Sequence, residues 1–387
     1  MEYIYLDHAA STAMRPEVRA AIEPFLGDRF GNPSSIHRWG RMARNALEEA
    51  RERTAAALGA HHREIVFTAG GTEADNLAVL GCWRYQAAER SGKGSVAVSA
   101  VEHKAVHEAA RQAAREGAEL LLLGVDEQGR VWADGAAEAL AARPALLSVM
   151  WGNNEVGTLQ PVAELAAMCR DRGIFFHTDA VQAFGKVRVR VDECGCDLLS
   201  VSAHKVGGPM GAGALFLRDG VALAPLAFGG GQERGQRPGT EGVAAAVGLA
   251  CAAELAAAEA ETEGARLAEL RDELEQRIRA RVAGVTVNGA GAARLPHITS
   301  LNVARADGEA VLIGLDLAGI AASGGSACLS GSVASSPVLA AMGRAQPGDA
   351  TVRFSLGRTT TAAEIETAAE RFAAVVARVR QQSPARV

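Results

Sequence analysis

The stretch Leu198-Leu199-Ser200-Val201-Ser202-Ala203-His204-Lys205-Val206-Gly207-Gly208 runs from an apolar segment into a lysine and a pair of glycines. Its first part is short and mostly apolar, the pattern of a strand buried on both faces. Glycines just beyond a strand end let a flat ligand approach the backbone closely. Only four of the 40 basic residues are lysines, at positions 93, 104, 186 and 205. Arginine fills nearly every other basic position, so a lysine in an apolar, glycine-rich setting calls for a chemical reason. Lysine forms Schiff bases with aldehydes and arginine does not. An ion-pair role is the alternative for such a lysine.

Working outward, Ile65–Thr68, Ser95–Val98, Ala145–Val149 and Ile174–His177 are further short apolar runs. Helical patterns at 40–58, 73–90, 104–116 and 161–172 lie between them. This alternation predicts an α/β fold with a mostly parallel sheet covered by helices. Ligands on such sheets gather at the carboxyl ends of the strands. Leucines at 267, 270 and 274 with Ile278 and Val282 predict a long amphipathic helix over 255–282. Strands near 285–287, 298–303 and 351–355 and a final helix from about 362, capped by Thr361 and Glu364, complete a smaller α+β domain. We therefore expect a segment 1–13 packed against the small domain, a large domain 14–255 and a small domain 256–387, since 387 residues exceed one ordinary core.

Composition narrows the function. The chain is 48% hydrophobic and 22% charged with a net charge of −5, which gives no reason to expect nucleic acid or an anionic membrane as partner. The apolar Tyr3-Ile4-Tyr5-Leu6 near the amino terminus reads as a strand and not as a leader, so a cytosolic protein is expected. Six dispersed cysteines (82, 169, 194, 196, 251, 328) predict reduced thiols, and Cys194-x-Cys196 alone makes a poor metal site.

Several residues just past the strand runs could carry chemistry. Asp179, in His177-Thr178-Asp179-Ala180-Val181-Gln182, is either a carboxylate for a pyridinium nitrogen or a helix cap. Gly70-Gly71-Thr72 leads into a helix whose amino terminus suits a phosphate, without P-loop spacing. His103 could stack on a ring and move protons, or could cap a helix. Asn154 lies in a loop able to present an amide.

These residues together resemble the fold-type I pyridoxal-phosphate enzymes, specifically the class V aminotransferase family and its cysteine desulfurases. The resemblance extends from Tyr5-Leu6-Asp7-His8-Ala9-Ala10 to Ser355-Leu356-Gly357-Arg358, through Phe30-Gly31-Asn32-Pro33-Ser34-Ser35-Ile36-His37, Gly229-Gly230-Gly231-Gln232-Glu233 and Arg237-Pro238-Gly239-Thr240-Glu241. It implies a large domain with a mostly parallel seven-stranded sheet and a homodimer. It also implies that Lys205 holds pyridoxal 5'-phosphate covalently, Asp179 pairs with the pyridine nitrogen and His103 stacks on the ring. Asn154 and Gln182 would approach the ring hydroxyl. Gly71, Thr72, Ser202 and His204 would hold the phosphate, with Thr240 reaching across from a second subunit. Asn32 and Arg353 would grip the substrate carboxylate, a task that suits a bidentate guanidinium.

Ser323-Gly324-Gly325-Ser326-Ala327-Cys328-Leu329-Ser330-Gly331-Ser332 separates a desulfurase from a transaminase. Glycine and serine at this density predict a mobile loop, and an exposed thiol in its middle favours a reactive role. The segment resembles the long-loop cysteine desulfurases of nitrogen fixation and iron–sulfur-cluster assembly. It departs from them at Gly324, where a second serine is usual, and at Ser335-Ser336-Pro337, where a proline-serine-histidine run is common. The resemblance implies that L-cysteine yields L-alanine and a persulfide on Cys328, with His103 a proton carrier. That sulfur would pass to an acceptor such as an iron–sulfur scaffold, with which Cys328 would share a nascent [2Fe–2S] cluster. A selenocysteine lyase or another class V enzyme is the nearest alternative, and a catalytically idle scaffold the alternative from another class.

Overall fold

The structure, a computed structural model, describes residues 3–89, 92, 94–324, 336–346 and 348–382. Cys328 and the segment around it therefore lie outside the described residues. Strand β1 is Ile4–Tyr5. The large sheet is built from β2 (Ile65–Thr68), β3 (Ser95–Ser99), β4 (Glu119–Leu123), β5 (Leu146–Ser148), β6 (Phe175–Asp179), β7 (Leu198–Ser202) and β8 (Gly213–Leu217). Then follow β9 (Val285–Val287), β10 (Ile298–Val303), β11 (Ile320–Ala321) and β12 (Ala350–Ser355).

The large sheet has seven strands in the order β2-β8-β7-β6-β5-β3-β4, and only β8 runs against its neighbours. Strands β2, β3, β5, β7 and β8 are buried along their whole length, which explains their unbroken apolar runs. At the edge, β4 reads Glu-Leu-Leu-Leu-Leu and leaves Leu122 exposed. Helices Gly71–Glu89 and Lys104–Arg115 cover one face and share a core with Val96, Val98 and Leu146. Because β3, β5, β6 and β7 are mutually parallel, their carboxyl ends open on one edge.

A second core joins the amino-terminal Ile4 and Leu6 to Leu267, Leu274, Leu301, Val352 and Phe372. Parallel pairing of β1 with β11 brings the first residues there, beside the antiparallel sheet β12-β10-β9. Full burial of each such leucine contributes about 1.5–3 kcal/mol, so the amino-terminal segment is held firmly at the cavity described below.

The expected helix over 255–282 is part of a longer one, Val243–Arg281, of 39 residues. Residues 246–253 are buried consecutively, so that half has no polar face and no amphipathic period to betray it. Thr361 and Glu364 form the expected capping box at the last helix, Ala362–Gln382. Cys194 and Cys196 are buried with their sulfurs 3.3 Å apart.

One long-range contact fixes the chain between β8 and the long helix. Arg51 and Glu233, both almost fully buried, make a two-pronged ion pair with N–O distances of 2.7 and 2.7 Å. Glu233 also accepts the Phe67 amide at 2.9 Å, and the Arg51 guanidinium lies 4.8 Å from the Phe67 ring centroid. Glu233 and Arg234 sit at φ +45° and +55°, a region that non-glycine residues enter only where contacts compensate.

Candidate active site

A cavity of about 460 Å³ opens at the shared carboxyl edge of β3, β5, β6 and β7, a usual volume for a small-molecule site. It is lined by Gly71, Thr72, His103, Asn154, Asp179, Gln182, Ser202, His204, Lys205 and Arg353, together with Ala9 and Ala10. The structure thus gathers in one place residues from both ends of the chain, Ala9 and Arg353 among them.

Asp179 ends β6, and its Oδ1 accepts the Val181 amide at 2.8 Å. Burial raises its pKa, while His103, the Val181 amide and Lys205 oppose the rise. Lys205 lies in the short turn after β7, and its Nζ donates to the carbonyls of Ala9 and Ala10 at 2.6 and 2.8 Å. Gln182 Nε2 donates to the same Ala9 carbonyl at 2.8 Å. The amino-terminal segment is therefore the floor of the site.

His103 caps helix Lys104–Arg115, with Nδ1 accepting the Ala105 amide at 3.2 Å. A neutral imidazole that accepts through Nδ1 carries its proton on Nε2. Helix Gly71–Glu89 points its amino terminus at the cavity, and its first amides have no partner within the helix. A Cβ on Gly71 would lie 2.7 Å from Val181 Cγ2, so glycine permits this helix start to abut the Asp179 turn. Ser202 and His204 complete that corner; burial and then the Lys205 charge push the His204 pKa down to about 4.

Arg353, only 2% exposed, donates from Nη1 to the Asn154 carbonyl and from Nη2 to Asp7 Oδ1, both at 2.8 Å. Its buried Nε has no hydrogen-bond partner among the described residues. Asn32 and Thr240 are not brought to the cavity: both are exposed, and Asn32 Oδ1 accepts the Ser34 amide at 2.9 Å.

Other functional-looking residues escaped sequence reasoning. Asp75 and Glu102 line the cavity, almost fully buried, each with one unpartnered oxygen among the described residues. Burial pushes Glu102 up to about 8 against hydrogen bonds from Ser99 and the Met150 amide. Burial also raises Asp75 well above the usual carboxylate range, and Asp179 adds to the rise. His177 bonds Ser148 Oγ at 2.8 Å and Ser200 Oγ at 3.0 Å, and burial drives its pKa down to about 3. Glu155, pushed up to about 7 by burial, accepts Ser336 Oγ at 2.5 Å. The sequence signal for Glu102 and His177 was a polar side chain within or just after an apolar run, whereas Asp75 lies on helix Gly71–Glu89 and Glu155 in the loop after β5.

The donor set fits pyridoxal phosphate: an amine for its aldehyde, a buried carboxylate for its pyridine nitrogen, and a helix amino terminus with serine for its phosphate. The free Nε of a buried guanidinium adds room for a substrate carboxylate.

The aminotransferase class-V family model matches residues 4–367. A protein named cysteine desulfurase IscS from Dictyoglomus turgidum is 44% identical over 383 residues, 98% of this chain and 96% of its own. Among solved structures, a NifS-like protein from Rickettsia africae matches with TM-score 0.87 at 32% identity, covering 97% of this chain and 99% of its own. SspA, solved in complex with cysteine, matches with TM-score 0.79 at 34% identity, covering 91% of this chain and 98% of its own.

Proposed function

We infer how the site works from one premise: the chain belongs to the class-V aminotransferase family and, within it, to the cysteine desulfurases. It is a pyridoxal-phosphate enzyme that removes sulfur from L-cysteine. The observation that carries the assignment of roles is the convergence of Lys205, Asp179 and Arg353 with one helix amino terminus in a single cavity.

When bound, pyridoxal phosphate supplies an electron sink for negative charge at the substrate Cα. Lys205 Nζ would hold it covalently, and the same amine, when free, would take the substrate Cα proton. Asp179 would keep a proton on the pyridine nitrogen through the carboxylate oxygen that Val181 leaves available. His103 would face the ring and carry protons through Nε2. Asn154 and Gln182 would orient the ring hydroxyl. Gly71, Thr72, Ser202 and His204 would hold the phosphate. Arg353 Nε would take the substrate carboxylate; Asn32, which lies outside this chain's own cavity, would assist from a neighbouring subunit.

Cys328 Sγ, as thiolate, attacks the substrate sulfur. The S–S bond forms as the carbon–sulfur bond breaks, the electron pair stays with the carbon, and protonation there gives L-alanine. The resulting persulfide passes to an acceptor protein, and we assign Cys328 the further role of ligating a [2Fe–2S] cluster shared with a scaffold. We assign the chain in halves of 14–255 and 256–387, with segment 1–13 seated on the second. A homodimer would bring Thr240 to the neighbouring subunit's phosphate site. Exposed Phe30 and Ile36 flank Asn32, and exposed Phe228 precedes the loop that carries Thr240, which supports an apolar contact there. Cys169, Cys194, Cys196 and Cys251 are thiols outside any disulfide, which supports a reducing, cytosolic compartment.

Incubating the holoenzyme with L-cysteine and a reductant, and measuring alanine and sulfide, tests this reading. Cys328→Ser should keep the cofactor absorbance and lose sulfide release by orders of magnitude. Sulfide release at the wild-type rate would remove Cys328 from the mechanism.

A further inference from the structure

Arg353 sits on β12 with its guanidinium almost wholly out of water. A buried charge of that kind needs a counter-ion. Two carboxylates stand near it. Glu155 is pushed up towards neutrality and is engaged by Ser336 Oγ, so it is the weaker candidate. Asp7 makes direct contact, 2.8 Å from Nη2.

Asp7 is also fixed in place by its own surroundings. Its backbone bridges Ser355 in parallel, and Tyr5 Oη donates to its carbonyl at 3.1 Å. Its Oδ2 accepts Ser323 Oγ at 2.7 Å, while Ser323 is itself paired to Arg353 by backbone hydrogen bonds of 2.7 and 3.2 Å. Asp7 cannot swing away when a ligand arrives without undoing contacts on both its neighbours. An incoming carboxylate must therefore share the guanidinium through the free Nε.

We propose that Asp7 is an internal counter-ion that lowers the affinity of Arg353 for carboxylate ligands, and so speeds the release of L-alanine. Two carboxylates around one guanidinium repel each other, and each weakens the hold of the other. L-alanine keeps the carboxylate of the substrate and has lost only its sulfur, so a site that grips that carboxylate hard retains its product. Asp7 is a positioning residue in this scheme, because it acts on ligands only through Arg353. The proposal rests on Arg353 being the carboxylate-binding residue.

The test is equilibrium dialysis of labelled L-alanine against holoenzyme, with steady-state kinetics alongside. Asp7→Asn should bind L-alanine roughly tenfold more tightly, the scale of one charge-assisted hydrogen bond. KM for L-cysteine should fall in the same direction, and Asp7→Glu should return both values towards wild type. The thermal midpoint should rise more on adding L-alanine to Asp7→Asn than to wild type, because the ligand supplies the missing counter-charge. A residue that merely supported the fold would lower the midpoint without tightening binding. Should the asparagine chain be unstable, Asp7→Ser gives the same direction. Equal or weaker L-alanine binding in the neutral variants overturns the proposal. A different failure, wild-type binding by Arg353→Lys, would instead remove the reading of Arg353 on which it rests.

Discussion

Glu233→Gln is expected to destabilise the protein severely although residue 233 touches neither cofactor nor substrate. The substitution is nearly isosteric, yet it replaces a carboxylate that receives two 2.7 Å hydrogen bonds from Arg51 and one of 2.9 Å from the Phe67 amide. The new amide turns an N–H towards a guanidinium N–H, and Arg51, with a side chain only 4% exposed, loses its principal counter-ion. Removing one partner of a buried pair costs about 3–5 kcal/mol. Glu48, 3.2 Å from Arg51 Nε but partly exposed, and the Phe67 ring retain a part of the stabilisation, roughly 1 kcal/mol together. A net loss of about 3 kcal/mol remains, a large share of the 5–15 kcal/mol that ordinarily separates native from unfolded states. Urea titration of the cofactor-free chain, followed by fluorescence of the buried Trp83, reads the shift in midpoint. Cofactor affinity should fall as well, because residues 232–241 carry Thr240. A midpoint displaced by less than about 0.5 kcal/mol, the range of ordinary surface substitutions, would refute the reasoning. The double replacement Arg51→Met, Glu233→Leu should recover part of the loss, since an apolar pair removes the desolvation cost of both charges but leaves the buried Phe67 amide without its acceptor.

Lys205→Ala should lose the cofactor on dialysis and with it the visible absorbance, while far-ultraviolet dichroism stays native; retention of absorbance after dialysis would exclude a covalent bond through Nζ. Stability should also fall as pH rises from about 7 to about 8, above the range in which His177 and His204, neutral in the fold and protonated only in the unfolded chain, act in the opposite direction. Glu102 and Glu155 are pushed from 4.5 up to about 8 and about 7, so the folded state holds protons that the unfolded chain has released, and their contribution, complete below 4.5, is lost through the folded values. Each proton contributes at most about 1.4 kcal/mol per pH unit, so Glu102→Gln should flatten the slope by up to that amount; an unchanged slope would mean that Glu102 is ionised in the fold.

What could be read from the sequence follows how each element is stabilised. The runs at β2, β3, β5, β6 and β7 were legible because both faces of those strands are buried, leaving an unbroken apolar signature. Lys205 and Asp179 were legible because function places them directly after such runs. Strand β8 passed unnoticed: it is antiparallel and follows a tight glycine turn that also carries the lysine. The first half of the long helix was invisible because alanine and glycine buried on all sides have no period. Asp7–Arg353 and Arg51–Glu233 span 346 and 182 positions, and nothing local distinguishes a residue whose partner is set only by tertiary packing. Thr240 marks the other limit, since the role proposed for it on a neighbouring subunit would leave no trace in one chain's cavity, and Asn32 lies outside that cavity as well.

The histidine and the aspartate at the strand ends show why a backbone contact and a site role are compatible in the fold. His103 and Asp179 could each be a helix cap or a site residue; His103 is a cap, its Nδ1 accepting the Ala105 amide, whereas no helix starts after Asp179, whose Oδ1 accepts the Val181 amide in a tight turn. Either bond consumes one polar atom of a side chain that has two. The atom left over is then held by a backbone hydrogen bond in a fixed direction, with its tautomer or charge state decided by the bond already made. A rotating imidazole could present either nitrogen to the cavity, whereas the capped one presents Nε2–H. A free carboxylate would exchange its oxygens, whereas Asp179 keeps one for the backbone and leaves the other to the cavity it lines. Precise placement of this kind, within a hydrogen bond's tolerance, is what proton transfer at a small substrate requires. The helix start after β3 and the turn after β6 therefore supply the orientation of the site as well as its location, and a hydrogen bond to the backbone is the means by which the fold aims these two groups.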